Sequence, residues 1–148
     1  MPIKPENEAL YPGGSIRSAE WREIRARIQQ RAGNCCEGCG VGNGAIGGRA
    51  RDGTFLPRLP LGDNGLRLVW PQPGETAWCS DGRRWEKLRI IRIVCTTAHL
   101  DHDPAHNDDD NLSFLCQRCH NRHDQTHRRA NAVATRRARS AIGDLFEP

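Results

Sequence analysis

Apolar and charged positions along the chain separate into two kinds of stretch, periodic and irregular. From Ser15 or Ser18 to Ala32, Ile16, Trp21, Ile24 and Ile28 recur on one side of a helical projection, with Arg17, Arg22, Arg25, Arg27 and Arg31 around the rest. Serine can cap this helix, Glu20 and Glu23 suit its first turns, and Gly33-Asn34 is a stop signal. The pattern predicts a docking helix with a solvated arginine face; phosphate contact by those arginines is the lesser alternative. Thr76–Ser80 and Arg83–Trp85 flank Asp81-Gly82, a hairpin-turn dipeptide. Leu88 to Thr97 is rich in β-branched residues and predicts one buried or half-buried strand leading to His99.

Beyond Asn111 the pattern turns helical from about Gln117, and His120, His123, Asp124 and His127 recur at neighbour spacing on one face. An Ala- and Arg-rich helix follows, ended by Gly143, after which Leu145 and Phe146 are expected to tuck against the body. Residues 1–14 read as an irregular arm. Residues 41–75, rich in Gly and Pro, read as a long irregular insertion; Gly42 to Gly48 lacks the Gly-Lys-Ser/Thr ending of a phosphate-binding loop. Trp70, Trp78 and Trp85 are expected to pack as core or cover rather than to stack on bases.

Composition tightens this picture. The 148 residues suit a single α+β domain, divided into an N-terminal arm and helix (1–34), a core (35–127) and a basic C-terminal helix and tail (128–148). Only 36% of residues are hydrophobic and 5% aromatic, so the core is small and a metal is the natural staple. The net charge of +4 says little about partners by itself. No apolar leader segment and no run of spanning length is present, so a soluble, cytoplasmic protein is expected. The 7 cysteines are odd in number and partly paired as C-x-x-C, which fits metal thiolates in a reducing compartment better than disulfides.

Cys36-Glu37-Gly38-Cys39 and Cys116-Gln117-Arg118-Cys119 together can close one tetrahedral zinc site. Four sulfurs leave no position for water, so this zinc would be structural, with Cys35 a bystander. A rival set of Cys36, Cys39, His99 and His102 strands the second cysteine pair and is less economical. The remaining polar groups between Ala98 and Asp124 can build a different site. Asp101 is a hard oxygen ligand, His102 a proton acceptor near physiological pH, and Asn111 can steady an imidazole. His120 directly follows the second cysteine pair. Those are the parts of metal-assisted phosphodiester hydrolysis.

The string D-H…N-L-x-x-L-C-x-x-C-H, preceded by C-x-x-C, resembles the HNH endonucleases, and within them the small zinc-stapled proteins common in phages and prophages. The likeness covers Cys36–Cys39 and His99–Asp124. It implies a ββα-metal (His-Me finger) core in a bacterial cytoplasm, acting on DNA. Asp101 and His120 would hold one Mg²⁺-like ion, His102 would be the general base, and Asn111 would orient His102. His99 would be an additional ligand or a hydrogen-bonding neighbour, and His123 or Asp124 would complete the coordination sphere. Loop length alone aligns His99 with the base, but Ala98 cannot then be the preceding ligand. Arg128, Arg129, Arg136, Arg137 and Arg139 would meet the DNA backbone. The alternative is a noncatalytic zinc-stabilised DNA-binding module.

Overall fold

The computed structural model describes residues 5–62 and 68–144. Leu145 and Phe146 lie outside the described residues, as does the expectation attached to them. The described chain is mixed α and β: α1 (Pro5–Glu8), a 3₁₀ turn (Pro12–Gly14), α2 (Ala19–Arg31), β1 (Ile46–Arg49), β2 (Phe55–Pro57), β3 (Thr76–Ser80), β4 (Trp85–Arg89), β5 (Ile91–Arg92), β6 (Cys95–His99), β7 (Leu112–Cys116), α3 (Gln117–His123) and α4 (Gln125–Asp144). Among the described residues, no helix is long and apolar enough to cross a membrane.

Helix α2 begins and ends where its residue chemistry dictates. The Ser18 hydroxyl accepts the Trp21 amide at 3.0 Å, and Gly33 (φ 60°) and Asn34 (φ 57°) turn the chain left-handed. The Gly33 and Asn34 amides bond back to the Gln30 and Gln29 carbonyls, each at 3.0 Å, the Schellman arrangement that satisfies the last turn. Trp21 and Ile28 are buried, and Ile16 and Ile24 pack beside them. Along the flank of that stripe, Arg27 pairs with Asp109 and Arg31 with Glu37, so apolar packing and ion pairs dock the helix together.

Three small antiparallel sheets follow, ordered β2-β1-β5, β3-β4 and β6-β7. A hairpin is present at Asp81-Gly82, but its second arm is Trp85–Arg89 rather than the expected Arg83–Trp85: Ser80 pairs with Trp85 across a four-residue loop, 81–84. The single strand expected over Leu88–Thr97 is instead shared among β4, β5 and β6. Buried Ile90 and Ile93 mark the two breaks. Ile90 bonds to Gly74 and Glu75, and Ile93 to Gly44 and Ala45. This one run therefore changes backbone partner every two or three residues and ties the sheets together.

The 41–75 segment is more regular than its composition suggests, because it supplies β1 and β2. Two glycines of β1 are closely approached. A Cβ on Gly47 would collide with the Leu56 carbonyl, and one on Gly48 with the Leu88 side chain. Glycine there is a packing requirement that leaves no hydrophobic periodicity to read.

Two apolar clusters result. One joins α2 to β6-β7 through Trp21, Ile28, Ile93, Leu112 and Phe114; the other holds Leu56, Ala77, Cys79 and Ile90 beneath the β3-β4 hairpin. Trp78 and Trp85 contribute to neither. They are 54% and 61% exposed, and Trp70 is 43% exposed, contrary to the packing expected of them.

Candidate metal centre

The antiparallel β6-β7 pair runs into α3, with Cys95 opposite Cys116 and His99 opposite Leu112. This unit brings Cys116 and Cys119 against the loop carrying Cys36 and Cys39. Ligand sulfurs of all four lie within 4.8 Å of one another. Cys39 Sγ and Cys116 Sγ are 3.7 Å apart, close to the ~3.8 Å edge of a tetrahedron with zinc–sulfur bonds of about 2.3 Å. The set can hold zinc. Cys35 and Cys95 stand outside it, and burial with the neighbouring thiols pushes Cys95 up to about 12, so it stays a neutral core thiol.

The sulfurs have organised surroundings. Arg49 donates to Cys39 Sγ at 3.5 Å and Cys116 Sγ at 3.3 Å, and the Cys116 amide donates to Cys36 Sγ at 3.2 Å. Burial opposes the Cys39 thiolate, but the Val41 amide, Arg49 and the adjacent thiols outweigh it and lower its pKa to about 6. The Glu37 carboxylate, between Cys36 and Cys39, accepts from Arg31, Ser113 Oγ and the Phe114 amide. Helix α2, the cysteine loop and β7 are thus joined at one side chain.

A second cluster lies at the C-terminal end of α3. His102, His123 and Asp124 place one ligand atom each within 4.8 Å of the others. His102 Nδ1 is 3.6 Å from Asp124 Oδ1, and His120 Nε2 is 3.4 Å from Asp124 Oδ2. The His102 ring stacks on His123 and His127, at centroid distances of 4.8 and 4.4 Å. Burial, then the neighbouring His127 and His123, lower the His102 pKa. Its backbone is left-handed at φ 63°, a strained conformation for a side chain without a glycine's freedom. His123 Nε2 is buried without a hydrogen-bond partner. Two imidazoles and a carboxylate this close together are a donor set that can hold a cation.

The sequence-predicted residues are distributed differently from their expected pairing. Asp101 belongs to neither this cluster nor the sulfur set. Its carboxylate takes Asn111 Nδ2 at 2.9 Å and His106 Nδ1 at 2.6 Å, and these donors, with the Asp103 amide, hold it well below the usual carboxylate range. Buried Asn111 also donates to the His106 carbonyl at 2.8 Å and accepts the Asp101 amide. It steadies the loop that carries His102, not the His102 ring. His99 stacks on Trp21 at 5.3 Å and meets Asn107 Oδ1 at 2.9 Å, as a packed and satisfied histidine does. His120 Nδ1 is 3.2 Å from Thr96 Oγ1. The shared face of His120, His123, Asp124 and His127 was visible in their spacing; the convergence of His102 on it depends on a loop turn with no periodic signature.

An open cleft of ≈ 620 Å³ is lined by His102, His120 and Asp124, together with Tyr11, Trp21, Arg25, His127, Arg128 and Asn131. Helix α4 is exposed from Gln125 to Ser140, so Arg129, Arg136, Arg137 and Arg139 face solvent and Arg128 reaches 3.8 Å from Asp124. No protein-family model, curated protein or solved structure matches the chain.

Proposed function

We propose that the protein is a metal-dependent endonuclease of the HNH type that hydrolyses phosphodiester bonds in DNA, with a structural zinc at Cys36, Cys39, Cys116 and Cys119. The supporting observation is the proximity of His102, His123 and Asp124 to one another, with His102, His120 and Asp124 lining an open cleft that also presents arginine. Two imidazoles and one carboxylate are a donor set for a borderline divalent ion such as Zn²⁺, Mn²⁺ or Fe²⁺ more than for Mg²⁺, which prefers oxygen.

When bound, such an ion would supply Lewis-acid stabilisation of the phosphoryl oxygens and a more acidic water. The chain's own groups do the rest. His120 is fixed by Thr96 and Asp124 and takes the proton of the attacking water. Arg25 and Arg128, both on the cleft wall, neutralise the phosphate. Asn111 and Asp101 lock the loop that delivers His102. Relative to the sequence reading, Asp124 takes the carboxylate role assigned to Asp101, and His102 and His120 exchange roles as ligand and base.

The test is relaxation of supercoiled plasmid by zinc-loaded protein with Mn²⁺ or Mg²⁺ titrated in, comparing wild type with His120→Ala and His123→Ala. Cation-dependent nicking in the wild type and loss of ~10²–10⁴-fold in His120→Ala support the reading; a folded wild-type sample that never nicks refutes it. The exposed basic helix α4 favours a second reading, a noncatalytic DNA-binding module, for which tight DNA binding without cleavage is the signature.

A further inference from the structure

A second concave surface lies away from the histidine cluster, between β1, the β4-β5 junction and α3. It is a cleft of ≈ 790 Å³ walled by Arg49, Arg89, Arg92 and Arg118, with the amide side chains of Gln117 and Asn121, and no carboxylate lines it. Its floor is the buried pair Ile90 and Ile93. The alternation around Ile90 and Ile93 that broke the expected strand therefore turns Arg89 and Arg92 outward together. Gln117 Nε2 donates to the Arg92 carbonyl at 3.1 Å and fixes α3 against this wall.

Three of these charges have no ionic partner among the described residues. Elsewhere Arg27, Arg31, Arg84 and Arg128 each face a carboxylate, and Arg49 is held at the Cys39 and Cys116 sulfurs and the Gly53 carbonyl. No ion pair among the described residues involves Arg89, Arg92 or Arg118; Arg118 is held at the Asp52 carbonyl at 3.5 Å. Guanidinium groups gathered around one concavity without a carboxylate make it a favourable place for an anion. A neighbouring groove of ≈ 440 Å³ continues from Asn121 to Arg122, Arg128 and Arg129, again with no carboxylate in its wall. Arg128 also borders the histidine cleft. An arginine path thus runs from this cleft to Arg128, which stands 3.8 Å from Asp124 at the histidine cleft.

We infer that this arginine cleft is a second phosphate-binding site, which holds the nucleic-acid backbone at a phosphate remote from the one presented to His102, His123 and Asp124. The inference takes its partner from the nuclease reading but is independent of whether bonds are cut. Guanidinium forks match phosphate oxygens pairwise, and contact with the backbone alone is insensitive to base sequence.

The experiment is fluorescence anisotropy of a labelled DNA duplex of random sequence, with no divalent cation added beyond the resident zinc, as salt is raised. The Arg89→Gln, Arg92→Gln double variant removes two exposed, unpaired side chains; an Arg17→Gln, Arg22→Gln variant removes equal charge at the start of α2. Circular dichroism and zinc content confirm that each is folded. The cleft variant is expected to bind about tenfold more weakly at low salt, with the slope of log affinity against log salt reduced by about 2, while the α2 variant is unchanged. An unchanged cleft variant, an equal loss in the α2 variant, or displacement of the duplex by polyglutamate as readily as by unlabelled DNA each overturns the inference. Binding through the cleft without plasmid nicking leaves it standing and removes the nuclease reading; nicking with an unaffected cleft variant does the reverse.

Discussion

Asp124 is the side chain on which the candidate site turns. It faces His102, His120 and Arg128 and ends the short helix that begins at the sulfur cluster. Asp124→Asn keeps its size but removes the charge that a cation needs. The expected result is loss of the exchangeable cation and of nicking by ~10²-fold or more, with zinc content and circular dichroism unchanged. The tryptophans offer a test of packing at the same scale. Trp21 is 4% exposed and stacked on His99, so Trp21→Ala should cost ~3–5 kcal/mol in denaturant unfolding. Trp85→Ala, at a residue 61% exposed, should change stability by less than about 0.5 kcal/mol.

Between elements, Glu37 is the joint that unites α2, the cysteine loop and β7. Burial raises its pKa, but Arg31, the Phe114 amide and Ser113 outweigh that and lower it. A carboxyl lowered in the folded state contributes stability that is present above its unfolded value of about 4.3 and lost as pH falls. Wild type should therefore lose more stability than Glu37→Gln on acidification below about pH 4.3, a difference readable by urea unfolding across pH. Elements with periodic residues or strong end signals were legible in the chain: α2 from its apolar stripe and Gly33-Asn34, the β3-β4 hairpin from Asp81-Gly82, α3 and α4 from their spacing. β1 and β2 were not, because Gly47 and Gly48 serve close backbone approach and carry no side chain to pattern. The division of Leu88–Thr97 was hidden for a related reason. Its β-branched residues favour extended backbone but say nothing about which neighbour each pair of residues joins.

Across the whole molecule, two small apolar clusters and a cysteine set divide the task of holding the chain together. The four cysteines were legible because C-x-x-C spacing is set by the ion itself, whereas the histidine site drew His102 from a loop and Asp124 from a helix end, and sequence spacing does not encode that meeting. With so little apolar surface, a zinc held by the sulfur set would have a large share in stability; structural zinc supplies ~10–16 kcal/mol in apparent terms in small zinc domains. Cys119→Ser should abolish zinc retention and cooperative thermal unfolding together. The central claim is that this sulfur set is a scaffold, separate from a second, histidine-based cation site that performs hydrolysis. The most direct measurement is plasmid nicking by zinc-loaded protein as Mn²⁺ is titrated in, with wild type and Asp124→Asn side by side. The account predicts nicking that rises with Mn²⁺ and saturates in the wild type, and none in Asp124→Asn although its zinc is retained. Equal nicking by both proteins, or none by a folded, zinc-loaded wild type, would contradict it.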